Sequence, residues 1–103
     1  MTDPGMVLRR LEEIDNDLAL RQNTYETAAR GWITAKRDKE HHRAVEFIKA
    51  EGTVAERNAI ADRESSMDGK LEEAEYEALK AVVRVLETRA SIGQSILRSM
   101  SRT

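Results

Sequence analysis

The chain of 103 residues has no cysteine, one proline, one tryptophan and four aromatic residues in all. Without cysteine there is no disulfide framework, no thiolate zinc site and no thiol nucleophile. No stretch approaches the ~20 consecutive apolar residues of a membrane span. The first 30 residues carry Arg9, Glu12, Glu13, Asp15 and Asp17 with no apolar run, so no signal peptide is expected there. Leu, Ile, Val and Phe make up only about a fifth of the chain, near the floor for a self-sufficient core. The serines at 65, 66, 91, 95, 99 and 101 lack a Gly-x-Ser-x-Gly context, and no glycine-rich phosphate loop is present. The expectation is a protein that is not an enzyme and needs no cofactor. What is abundant is Ala, Glu, Lys, Arg and Leu, with 35% charged residues. That is the composition of long helices packed side by side.

Asp3 followed by Pro4 suits an N-cap with proline at the first helical position. Apolar residues then fall at Val7, Leu11, Ile14 and Leu18, in heptad steps of four and three. The stripe continues through Tyr25, Ala28 or Ala29, Trp32 and Ala35, and is expected to return at Val45 and Ile48. This predicts a first arm over about 6–51. Gly52-Thr53 is the clearest boundary: the glycine can end one helix in the left-handed region, and Thr53 with Glu56 forms a Thr-x-x-Glu capping box. A second arm is predicted over about 54–98, with a weaker break in the turn formers of 65–69. Leu71, Ala74, Ala78, Leu79, Val82, Leu86, Ala90, Gly93, Leu97 and Met100 mark its apolar side, and residues from Ser99 onward are expected to fray.

Charge is distributed in blocks. Residues 1–29 carry a net −3, residues 30–49 a net +3, residues 50–79 a net −6 and residues 80–103 a net +4. Folding the chain back at Gly52 brings opposite signs together along the whole length. Exposed pairs contribute only tenths of a kcal/mol each, so charge selects the antiparallel pairing while apolar burial stabilises it. The fold class that follows is all-α: a long antiparallel helical hairpin of two to three helices, coiled-coil-like and oligomeric, spanning residues 1–103 as one domain.

Three groups of residues are candidates for chemistry. Asp38, His42 and Glu46 share a helix face beside His41, a spacing that can hold a divalent metal and equally describes a solvated face with i,i+4 pairs; no metal is expected. Arg30, Lys36, Arg37, Lys39, Arg43 and Lys49 surround Trp32, which offers phosphates their charge and a base its stacking partner. The alternative is a core Trp32, with the bases answering acids of the second arm such as Glu56, Asp62, Glu64 and Glu72. Gly93, between Ile92 and the pair Ile96-Leu97, costs helix stability and implies the close approach of a neighbouring helix, within the hairpin or between subunits.

The order of features resembles the UvsY-like recombination mediators of tailed phages. The likeness covers about residues 20–98. It rests on the tryptophan-bearing charged helix (Trp32 with Lys36, Arg37, Asp38, Lys39 and Glu40). It rests also on the later run of Tyr76, Leu79, Val82, Val83, Leu86, Glu87, Arg89, Ile92 and Ile96. Phe47-Ile48 stands where the family tends to carry paired tyrosines, and the linker between the halves is short. The resemblance implies single-stranded DNA binding, homo-oligomeric rings, and contacts with a recombinase and a single-strand-binding protein in the host cytoplasm, without catalysis. Carried onto this chain, the phosphate contacts would be Lys36, Arg37, Lys39, Arg43 and Lys49, and the last helix, with Ile92, Gly93, Ile96 and Leu97, the assembly element. The rival expectation is a structural or adaptor protein that binds another protein through its apolar stripe, with no nucleic-acid role.

Overall fold

A computed structural model describes residues 3–101, of which 91% are helical. Among them are three helices and no strand: α1 (Pro4–Lys49), α2 (Val54–Ser65) and α3 (Lys70–Ser101). The all-α class expected from the sequence is the fold, and the helices pair antiparallel within each of the chain's two units.

The helix ends follow local chemistry. The Asp3 carbonyl accepts from the Met6 and Val7 amides at 3.0 and 3.2 Å, and its carboxylate takes the Gly5 amide at 3.0 Å. With Pro4 preset for the first turn, α1 starts two residues earlier than the apolar stripe alone implies. It stops at Lys49, two residues short of the expected end. Gly52 reverses the chain with φ of +116°, and Thr53 Oγ1 accepts the Glu56 amide at 3.2 Å to cap α2. The expected break at 65–69 is present. The Asp68 amide donates to the Ser65 carbonyl at 3.1 Å, and Gly69 turns into α3 with φ of +73°. α3 is helical through Ser101; Arg102 and Thr103, like Thr2, lie outside the described residues.

The chain divides into two compact units. In unit 1 (Met1–Thr27 with Glu77–Thr103), the first part of α1 runs antiparallel to the last part of α3. Val7 and Ile14 of α1 and Leu86 of α3 are buried, and Leu11, Leu18 and Tyr25 share the row of Val7 and Ile14. The facing row of α3 is Leu79, Val83, Leu86, Ala90, Gly93, Leu97 and Met100, every one at least half-buried. Both rows advance by four and three residues, the period at which two helices keep a common seam.

Unit 2 (Ala28–Tyr76) packs α2 antiparallel on the second part of α1. Its core is made of small groups. Ala61 is fully buried and Ser65 nearly so, the serine hydroxyl donating to the Ala61 carbonyl at 2.8 Å. The heptad row of α1 continues here through Trp32, Ala35, Lys39, His42 and Glu46. The expected return of the apolar stripe is only half met, because Val45 is half-buried while Ile48 is 75% exposed. A period of 3.5 residues turns Glu46 and Ala50 inward and carries Ile48 to the outer side.

Candidate functional site

Two surfaces gather the residues singled out by the sequence. The first is one edge of the α1/α3 pair in unit 1. Beside the inward row of α3 runs a second heptad row, displaced by one residue: Ala78, Val82, Val85, Arg89, Ile92 and Ile96, all exposed. One residue is about 100° of helix rotation, so this row looks past α1 rather than at it. Val82 is 37% exposed, Val85 48%, Ile92 56% and Ile96 37%, and Met6 of α1 joins them at 62%. Met6, Ile92 and Ile96, with Val7, Leu11, Ile14 and Gly93, line an open apolar groove bordered by Arg10 and Arg89, while Val82 and Val85 line a second cleft further along α3 with Asp17, Arg21 and Arg89. Displacement by one residue in the other sense gives Lys80, Arg84, Glu87, Ser91, Gln94 and Arg98, a wholly polar edge.

Of the four residues expected at an assembly surface, the fold separates two pairs. Ile92 and Ile96 stand outside on the apolar edge. Gly93 and Leu97 belong to the inward row, and the close approach that Gly93 permits is met within the chain. A Cβ there would fall 2.7 Å from Leu11 Cδ2.

The second surface is in unit 2. Trp32, Lys36, Lys39, Arg43 and Phe47 form one continuous row on α1, at steps of four, three, four and four. The Lys36 ammonium sits 5.3 Å from the Trp32 ring centroid, and the Arg57 guanidinium of α2 lies 4.3 Å from that of Phe47. Arg57 also donates to the Phe47 carbonyl at 3.1 Å. Trp32 is half-buried, its Cζ3 edge over Gly69, where a Cβ would meet it at 3.1 Å. Phe47 and Arg57 lie outside the basic block that the sequence marks around Trp32. The signal was available as the i,i+4 step from Arg43 to Phe47, but Arg57 enters only by tertiary packing.

The basic residues do not act as one patch. Arg43 is engaged by α2, donating to Asp62 Oδ1 at 2.6 Å and to Asn58 Oδ1 at 3.1 Å. Lys49 lies 3.8 Å from Glu46 Oε1 on its own helix. Arg30 and Arg37, seven residues apart, share a row that does not include Trp32. Lys36 remains beside the tryptophan and Lys39 follows it on the same row, and neither has a carboxylate within 4.0 Å among the described residues.

His42 pairs across helices instead of completing a metal face. Its Nδ1 is 2.6 Å from Asp68 Oδ2, while Nε2 is 3.6 Å from Glu46 Oε1. The hydrogen bond to Asp68 raises its pKa above the ordinary histidine value, against a smaller opposing effect of desolvation, and the charges of Asp68, Glu46 and Glu64 add to the rise. Among the described residues no group of three or more His, Cys, Asp or Glu is placed to hold a metal ion, and no helix is long and apolar enough to cross a membrane. Comparison of the chain with protein-family models, with curated proteins and with solved structures finds no match.

Proposed function

We propose that the chain is a non-enzymatic helical adaptor that works by docking another helical surface along the apolar edge of unit 1. The observation that carries this reading is the second heptad row of α3. Four β-branched apolar side chains at coiled-coil spacing stay in water on one edge of the pair, while the opposite edge is polar. An exposed apolar strip on one edge, interrupted here only by Arg89, is the mark of an interaction site. Knobs at steps of four and three fit the holes of another helix. The test is a photo-reactive side chain at position 92, with position 84 on the polar edge as control, in cells expressing the protein. A discrete adduct from 92 and none from 84 is expected; equal adducts, or none, refute the reading.

A second reading is favoured by Lys36 beside Trp32 with Lys39 on the same row, and by the resemblance to recombination mediators. In it the row from Trp32 to Phe47 binds single-stranded DNA without base preference, in the cytoplasm, with a recombinase and a single-strand-binding protein as partners. Phosphates would take the two lysines and a base the ring. Each phosphate neutralised on a single strand contributes about −0.7 to the slope of log affinity against log salt. Lys36→Gln with Lys39→Gln should therefore flatten that slope by roughly 1.4. No retention of a long oligonucleotide by the wild type at low salt removes this reading and leaves the adaptor.

A further inference from the structure

The apolar edge calls for one occupant, and the choice of it rests on the docking reading just given. We infer that a second copy of this chain covers the edge, α3 of one copy lying antiparallel to α3 of the other about a two-fold axis level with residue 87.

Area gives the first argument. The chain exposes 7846 Å², whereas a folded monomer of its 11.7 kDa mass exposes about 5,900 Å² by the usual scaling of surface with mass. The excess is larger than the ~800 Å² that each partner of a standard interface contributes.

The row itself gives the second. Antiparallel alignment about residue 87 sets each position of one copy against another of the second: Ala78 against Ile96, Val82 against Ile92, Val85 against Arg89. The smallest residue of the row faces one of the largest, and each guanidinium lies over a valine. A parallel alignment would oppose Arg89 to Arg89 and Ala78 to Ala78, which places like charges together and leaves a gap at the alanines.

The rest of the helix surface gives the third. Because the opposite edge of α3 is polar, the contact is made once per chain and closes as a two-fold dimer rather than extending into a fibre.

The absence of cysteine makes the arrangement directly testable. Val82→Cys and Ile92→Cys are prepared as separate single variants, each on an exposed position of the edge, and oxidised alone and mixed. In the inferred dimer the two copies of residue 82 are about 15 Å apart along the helices, beyond the ~7 Å reach of a disulfide, while residue 82 of one copy faces residue 92 of the other. The mixture should therefore give a covalent dimer and each variant alone should not. The wild type should sediment at twice 11.7 kDa. Cross-linking of Val82→Cys alone, or a wild type that sediments as a monomer at about 100 µM, overturns the inference. A monomeric wild type that still gives a discrete adduct from position 92 in cells overturns the second copy as occupant and leaves the docking reading standing.

Discussion

Alanine at position 31 and alanine at position 69 are the same chemical change with opposite expected signs. Gly31 lies inside α1, and a Cβ there would meet no heavy atom within 4 Å. Replacing it removes the entropic cost of glycine in a helix and should stabilise the protein by about 0.5–1 kcal/mol. Gly69 has φ of +73°, and a Cβ on it would lie 3.1 Å from Trp32 Cζ3 and 3.4 Å from Ala35 Cβ. An L-residue in that backbone region costs roughly 1–2 kcal/mol. The Trp32 edge must also give way, and its ring is held between the turn and Lys36. Gly69→Ala should therefore destabilise by at least about 1–2 kcal/mol. The gap between the two variants is then about 1.5–3 kcal/mol, a difference of some 6 °C or more in midpoint for a chain of this size. Urea and thermal unfolding at one protein concentration, followed by circular dichroism at 222 nm, read it directly. Shifts of the same sign in both variants refute the placement of the α2–α3 turn against Trp32.

The His42–Asp68 pair makes stability depend on pH in a stated direction. Because the folded-state pKa of His42 is raised, its contribution is complete below the unfolded value of about 6.5 and is lost as pH rises through the folded value; thermal midpoints should fall from pH 6 to pH 8, and Asp68→Asn should abolish that fall. Thr53→Ala removes the side chain that caps α2 at 3.2 Å and should cost about 1 kcal/mol in urea unfolding, with no change if the cap is unimportant. Leu86→Ala empties a buried position of the unit 1 seam and should cost about 2–5 kcal/mol. Ile92→Ala, one face away, should leave the stability of the dilute monomer within ~0.5 kcal/mol while weakening association. Equal losses from the two would mean that the two rows of α3 are wrongly assigned.

Much of the fold was legible in the residues because it is decided by short-range chemistry. The Asp3-Pro4 start, the glycine at 52 before the Thr53 cap, and the turn formers of 65–69 each act within a few residues, and each is where the pattern places it. The block charges likewise pointed to the antiparallel pairing that sets Arg43 on Asp62 and His42 on Asp68. Which apolar residues face inward was beyond that kind of reading. In α3 the residues at 78–79, 82–83, 85–86, 92–93 and 96–97 are neighbours in sequence and small or apolar in both members. Periodicity alone therefore merges two rows into one broad stripe containing Val82 and Leu86 together. Only the docking of α1, with Leu11 seated over the bare Cα of Gly93, assigns one row to the seam and leaves the other in water. The basic block divided for the same reason. Six cations within twenty residues look like one patch along the chain, but 100° per residue spreads them around α1, and the position of α2 decides that Arg43 is held by Asp62 while Lys36 stays beside Trp32.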